Sequence, residues 1–289
     1  MTERAQAIQR VTVAGAGTMG SGIAQALAAA GIDVALVDVA PSQLERAQAT
    51  IERSLGRFVE RQQITAAQRD ETLARIRYTP HLDASINQDM LIEAVVEDLD
   101  AKRDVFRRAA TVLPETAILA SNTSSISITA LGAAVSGPER VAGMHFFNPV
   151  PLMSLVEVVR GQLTSEDTIQ TVVVLAERLG KTPVVVEDFP GFVANRILLP
   201  MLNEAMYALM EGVAGKEAID QVMKLGMNHP MGPLQLADFI GLDVCLHILE
   251  VLHRDLGDDK YRPCPLLRRM VAAGRLGRKS GAGFYDYRP

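Results

Sequence analysis

The chain has 289 residues, 48% of them hydrophobic and 22% charged, with a formal net charge of −5. That size and balance suit a globular protein of one or two domains, and interspersed acids and bases argue against nucleic acid or a membrane surface as partner. Two cysteines, Cys245 and Cys264, have neither metal-ligand nor redox spacing; they read as buried small residues in a reducing compartment, with no metal site expected.

The first ten residues are polar and mixed in charge, without the apolar core of a targeting peptide. Two uncharged stretches, 11–32 and 117–138, are too rich in Gly, or in Ser, Thr and Asn, to face lipid. A soluble, cytoplasmic protein is expected.

Residues 10–14, RVTVA, form a short β-prone run, followed at once by GAGTMG at 15–20. Helix formers fill 21–30, Gly31 stops them, and a second β-prone run, DVALVD, ends on Asp38. This is the β-turn-α-β unit that binds dinucleotides. Gly15 permits the tight turn, Gly17 lets a pyrophosphate approach the backbone, and Gly20 allows close helix-strand packing. The helix start at Thr18 and Met19 offers N–H groups and a positive dipole end to phosphates. Asp38 reads either as a loop acid ahead of the Pro41-Ser42 helix start or as the acceptor for an adenosine ribose. In the second role it repels a 2′-phosphate, and with no base at Val39 or Ala40, NAD is favoured over NADP.

From 41 to 62 the pattern is helical, with Arg53, Arg57 and Arg61 on one stripe. The stripe is either a solvated face or a site for an anionic arm such as phosphates. A short helix at 65–76 leads to strands at 76–79, 90–95 and 117–120, with a helix at 101–112 between the last two. Glu97 follows one strand and Ser121-Asn122-Thr123-Ser124-Ser125 follows another, at the carboxyl ends where open parallel sheets collect ligands. Those hydroxyls can also cap a helix beginning near Ile126, and both roles are expected to be divided among them.

The stretch GMHFFNPVPLMSLVEVVR, 143–160, places a histidine and a glutamate in two apolar, β-prone runs separated by Asn-Pro and Val-Pro. A carboxylate inside LVEVV needs a partner, because burying it alone costs several kcal/mol. A turn at Asn148-Pro149 could bring His145 beside Glu157, and a carboxylate-held imidazole is a competent general base. The alternative is a core histidine and an edge-strand glutamate. A helix at 166–179 and a last strand at 183–187 follow, and Asp188-Phe189-Pro190-Gly191 breaks the alternation. Beyond it only helices are expected, at 192–211, 215–224, 241–255 and 264–273, giving domains 1–187 and 188–289. Asn195 falls on the first turn of the long helix near that break, and Pro200 should kink the same helix. Lys279 lies in a Gly-rich C-terminal loop.

GAGTMGSGIAQALA, EAVVED, ILASNTSSISIT, GMHFFNPVPLMSLVEVVRG, PGFVANRILLPMLNEA, NHPMGPLQLADFIGLD and LGRKSGAGFYDY together resemble the L-3-hydroxyacyl-CoA dehydrogenases, most of all the bacterial members acting on 3-hydroxybutyryl-CoA. The resemblance covers essentially the whole chain. It implies an α/β fold: an N-terminal Rossmann-type doubly wound sheet followed by an all-helical C-terminal domain for substrate binding and dimerisation. It implies a catalytic base at His145, with Glu157 as its partner and Ser124 and Asn195 at the substrate oxygen or the histidine. NAD contacts carry over to Asp38, Glu97, Lys102, Ser124, Asn148 and Lys279. Coenzyme A contacts carry over to Ser54, Ser124 and Arg61, the last standing where the family usually has Lys. The implied reaction is reversible, NAD-dependent oxidation of an (S)-3-hydroxyacyl-CoA to the 3-ketoacyl-CoA by a homodimer. Two alternatives are a dehydrogenase of a CoA-free hydroxy acid such as L-gulonate, and a non-catalytic, crystallin-like NAD-binding protein.

Overall fold

Strand and helix alternate as the hydrophobic runs predict. The computed structural model of the chain describes residues 8–82 and 87–288. In order, the first part contains β1 (Arg10–Ala14), α1 (Thr18–Ala29), β2 (Asp33–Val37), α2 (Pro41–Glu60), α3 (Ala66–Ala74), β3 (Ile76–Thr79), β4 (Met90–Glu93), α4 (Leu99–Val112), β5 (Ile118–Ser121), α5 (Ile128–Gly132), β6 (Val141–Phe146), β7 (Leu155–Arg160), α6 (Glu166–Arg178) and β8 (Thr182–Glu187). The strands form one sheet in the order β3-β2-β1-β4-β5-β6-β7-β8. Neighbours from β3 to β6 pair in parallel, β6 and β7 pair antiparallel, and β7 and β8 pair in parallel again. With the order reversing beside β1, this is the doubly wound, dinucleotide-type arrangement.

Residues of β4, β5 and β6 are buried throughout, as central strands covered on both faces should be. The core runs from Val11 and Val13 through Ile23, Leu27, Leu36 and Ile92 to Met144 and Val158. Each of these side chains contributes about 1.5–3 kcal/mol by leaving water. On α2, Leu44, Ala47, Ile51 and Leu55 recur every three or four residues and make the buried stripe. That stripe turns the charged face of α2 outward.

β4 stops two residues earlier than the apolar run suggests. The Glu93 carboxylate accepts the Val95 N–H at 2.6 Å, which takes that donor out of the sheet ladder. The cap of α5 also differs from expectation. Its N-cap is Ser127, whose Oγ accepts from Ala130 N, and Asp188 accepts from Ile128 N and Thr129 N at 3.1 and 2.8 Å. The 121–125 cluster therefore does not cap a helix at Ile126: the helix begins at Ile128, and a carboxylate 60 residues downstream completes its cap.

The chain divides into two units, one ending at Asp188 and the other starting at Phe189. The second unit holds α7 (Ala194–Met210), α8 (Lys216–Gly226), α9 (Pro233–Ile240), α10 (Leu242–Leu256) and α11 (Pro265–Ala272) around Leu202, Met206, Leu234, Leu249 and Leu267. α7 spans Pro200 as a single helix. α9 is an element that the sequence pattern did not reveal. Its first turn is anchored by Asp220 of α8, which accepts from Leu234 N and Gln235 N at 2.8 and 3.0 Å. Asp238, near its other end, accepts from Phe284 N and Tyr285 N, both at 2.9 Å, and fixes the C-terminal loop. Among the described residues no helix is long and apolar enough to cross a membrane.

Candidate active site

The antiparallel register of β6 and β7 sets His145 directly opposite Glu157. Between the strands, Leu152 N and Met153 N donate to Pro149 O and close the turn. His145 Nδ1 lies 2.8 Å from Glu157 Oε2, with the two residues 7% and 2% exposed. An ionised carboxylate only accepts, so with Glu157 in that state the proton between the two sits on Nδ1. Phe147 packs against the imidazole with ring centroids 4.6 Å apart. The pair expected from the sequence is thus formed, and it is buried.

Glu97 organises the polar loop after β5. Its Oε1 accepts from Thr123 Oγ1 (2.6 Å), Ser124 N (2.9 Å), Ser124 Oγ and Ser125 Oγ (both 3.2 Å). Its Oε2 meets Lys102 Nζ at 3.2 Å. Burial alone would push this carboxyl up, but Lys102 and the bonds from Thr123 and Ser124 outweigh it and hold Glu97 below the usual carboxylate range. Lys102, expected at the cofactor, is 1% exposed and spans two carboxylates, with Glu93 Oε1 at 2.7 Å. For Glu93 burial wins: its carboxyl titrates above the usual range even with Lys102, Ser121 and Val95 N bonded to it. Asn122 Oδ1 accepts from Phe146 N at 2.9 Å and ties the same loop to the strand that carries His145. Glu93 was not foreseen, and Asn122 only as a member of the polar cluster at 121–125. The signal for Glu93 was present, since an acid within the apolar run MLIEAVV poses the question that LVEVV posed for Glu157.

The glycine turn fits a dinucleotide. Gly15 has φ +104°, and a Cβ there would lie 2.4 Å from Ala94 O; at Gly20 it would lie 1.7 Å from Gly15 O. At Gly17, by contrast, no atom lies within 4 Å of that position. Gly17 is also the N-cap of α1 and supplies no side-chain cap to the first N–H groups of the helix, at Thr18 and Met19, and such a helix start suits a phosphate. Asp38 follows directly on β2, and its carboxylate accepts from Ala16 N and Ala40 N, both at 2.9 Å, which holds the turn in place.

A cavity of about 300 Å³ lies between α1, α2 and the β6–β7 connection. Ser54, Arg57, Phe58 and Arg61 line it from α2, Thr18, Ser21, Gly22 and Gln25 from α1, and residues 148–152 from the connection. Asn148, Ser54 and Arg61 therefore line one cavity, while Arg53 of the basic stripe lies outside it. A Cβ on Gly22 would lie 2.9 Å from Val150 Cβ, so glycine is what allows the connection to approach α1. Asn195 and Lys279 belong to the second unit, Asn195 in the first turn of α7 and Lys279 paired with Asp243 at 2.6 Å. Among the described residues no group of three or more His, Cys, Asp or Glu could hold a metal ion.

Residues 10–189 match the sequence model of the 3-hydroxyacyl-CoA dehydrogenase NAD binding domain, and residues 191–287 match that of the 3-hydroxyacyl-CoA dehydrogenase C-terminal domain. The chain belongs to the 3-hydroxyacyl-CoA dehydrogenase family. It is 56% identical over 280 residues to a probable 3-hydroxybutyryl-CoA dehydrogenase of Bacillus subtilis, covering 97% of this chain and 98% of that one. A 3-hydroxybutyryl-CoA dehydrogenase of Bradyrhizobium diazoefficiens is 53% identical over 284 residues, covering 98% and 97% of the two chains. The crystal structure of (S)-3-hydroxybutyryl-CoA dehydrogenase from Ralstonia eutropha superposes with a TM-score of 0.95 at 49% identity, covering 98% of this chain and all of that one. The first unit of this family member is accordingly an NAD-binding domain, and the cofactor is NAD.

Proposed function

We propose that the chain oxidises (S)-3-hydroxybutyryl-CoA reversibly to the 3-ketoacyl-CoA with NAD, and that His145 and Glu157 carry its proton chemistry. The observation that carries this reading is the buried 2.8 Å contact between His145 Nδ1 and Glu157 Oε2. NAD, when bound, supplies the acceptor for the hydride that leaves C3. His145 Nε2 takes the hydroxyl proton, while Glu157 keeps the ring in the tautomer that can accept it and offsets the charge that develops. Ser124, whose N–H and Oγ both donate to Glu97 Oε1 here, is assigned to the reacting oxygen, toward which its hydroxyl has to turn from Glu97 when substrate binds. Gly15, Gly17, Thr18, Met19, Gly20, Asp38 and Asn148 are assigned to NAD, with Glu97 and Lys102 setting the polar floor beside them. Asn195 and Lys279 belong to the second unit, and their proposed roles rest on the resemblance.

Ser54 and Arg61 are assigned to the coenzyme A arm. An acyl-CoA substrate is favoured over a CoA-free acid because the cavity wall that holds them bears guanidinium groups and no carboxylate. A purely structural role is disfavoured by the buried pair, since a lone binding protein has no use for a histidine poised as a base. Exposed apolar side chains of the second unit, among them Ile197, Val222, Leu225 and Met227, suit a homodimer through that unit. A cytoplasmic location is proposed with it, in keeping with two unpaired cysteines.

The test is oxidation of NADH with acetoacetyl-CoA by wild type and His145→Gln. Turnover by wild type and its loss in the variant, with retained NADH binding, supports the assignment. Equal turnover in both removes His145 from the chemistry.

A further inference from the structure

The two groups of the first unit assigned to the reacting oxygen stand on different segments, Ser124 on the loop after β5 and His145 near the end of β6. Backbone pairing of β5 with β6 runs from Leu119 opposite Val141 to Ser121 opposite Gly143, and stops there. β6 continues through His145 to Phe146, paired on its other side with β7. On the β5 side a side chain takes over from the ladder: Asn122 Oδ1 accepts from Phe146 N at 2.9 Å. That N–H belongs to the peptide bond joining His145 to Phe146.

Asn122 is itself firmly held. Its own N–H donates to Glu93 O at 2.8 Å. Just before it, Ser121 Oγ donates to Glu93 Oε2, and just after it Thr123 Oγ1 donates to Glu97 Oε1, both at 2.6 Å. The acceptor offered to Phe146 is therefore braced against the end of β4 and the turn that follows. An asparagine in such a loop usually bonds its own backbone two residues on. Here that local work is done by its neighbours, since Thr123 N donates to Ser121 Oγ and Ser125 N to Thr123 Oγ1. The Asn122 side chain instead reaches 24 residues along the chain.

We propose that Asn122 is a positioning residue: it extends the support of β6 past Gly143 and fixes where the His145 imidazole stands relative to Ser124, so that both reach one oxygen atom. The inference rests on the proton chemistry proposed above for His145. Misplacing a reacting group by about 1 Å costs on the order of a hundredfold in rate, while binding made elsewhere is spared.

The experiment measures kcat, KM for acetoacetyl-CoA and for NADH, and the melting temperature in Asn122→Leu and Asn122→Asp. It then repeats the rate of Asn122→Leu in the His145→Gln background, by single turnovers with enzyme in excess. Leucine has similar volume and no acceptor, so kcat should fall by about tenfold to a hundredfold with both KM values within about threefold. Aspartate keeps an acceptor for Phe146 N and should restore most of that rate at its own pH optimum. With the imidazole gone there is nothing left to position, so in His145→Gln the same leucine should cost less than about threefold. A residue that only supports the fold slows both backgrounds by the same factor and lowers the melting temperature, and that result overturns the proposal. So does an aspartate variant no faster than the leucine one. Should Asn122→Leu not fold, Asn122→Ala carries the same comparison. A His145→Gln enzyme as fast as wild type sinks the base assignment whatever Asn122 does, whereas an inactive His145→Gln beside an Asn122→Leu of full kcat sinks only the positioning role. Should wild type not turn over at all, the ¹⁵N shifts of the His145 ring decide: shifts changed in Asn122→Leu uphold the positioning role, and superimposable ones overturn it.

Discussion

Lys102 and Glu93 form a sealed ion pair at the end of β4, 2.7 Å apart and almost wholly removed from water, and Glu97 shares the same ammonium. A buried pair adds little stability over an apolar one, but removing one member strands the other's charge. Lys102→Met leaves two carboxylates without their counter-charge and should destabilise the protein by about 3–5 kcal/mol. The double variant with Glu93→Gln removes one stranded charge and should recover part of that loss. Urea unfolding of the two singles and the double measures the coupling. A strictly additive double variant would mean that the two side chains do not depend on each other.

Glu97 gives the network a pH dependence. Its folded-state pKa lies below the ordinary carboxylate value, so folding favours its charged form. The stabilisation is fully present above the unfolded pKa, about 4.3, and fades as pH falls through the lower folded value. The stability difference between wild type and Glu97→Gln should therefore be largest near neutral pH and shrink on acidification below about pH 4. Unfolding free energies of both proteins across that range check it. A difference that grows toward acid would contradict the sign of the shift.

Two glycines of the turn separate fold from ligand. A methyl at position 20 meets Gly15 O at an impossible distance, whereas at position 17 it meets no protein atom. Gly20→Ala should therefore lower the melting temperature and damage the turn. Gly17→Ala should melt like wild type and raise KM for NAD about tenfold or more, the equivalent of about 1.4 kcal/mol. Thermal melts and NAD kinetics on the same preparations decide. An unchanged KM in Gly17→Ala would remove the pyrophosphate from that spot.

The cysteines should be silent. Burial pushes the Cys245 thiol up to about 12, with Asp243 and Asp238 adding to the shift, and burial raises Cys264 as well. Thiolate, not thiol, reacts with disulfide reagents. The folded protein should show no fast-reacting thiol at pH 8, and two after denaturation. A rapid reaction of either in the native state would show an opening that the packing does not contain.

What the sequence revealed depended on how local the governing interaction is. Strands, the glycine turn and the His145–Glu157 pair were legible because each follows from a run of neighbours: an acid among valines must find a partner, and twelve residues upstream stands a histidine. Glu93 carries the same signal, since an acid in MLIE is equally misplaced, and its partner is Lys102. The start of α9 was hidden because Asp220, in the preceding helix, anchors its first turn. The cap of α5 was misplaced for a related reason, since Asp188 completes it from the far end of the domain. The basic stripe on α2 was visible, but which of its arginines face a cavity is set by α1 and residues 148–152, and no helical periodicity contains that.

The proposed proton chemistry requires that Glu157 keep His145 ready to take a proton. The most direct measurement is kcat for acetoacetyl-CoA reduction by Glu157→Gln, with both KM values and the melting temperature taken on the same protein. Glutamine keeps the shape but can offer its N–H to Nδ1, which favours the tautomer with the proton on Nε2 and removes the charge that stabilises imidazolium. The predicted result is a kcat lower by about 10²–10⁴-fold, with binding and melting close to wild type. A kcat within a factor of about two of wild type, below what any general-base partner should be worth, would contradict it.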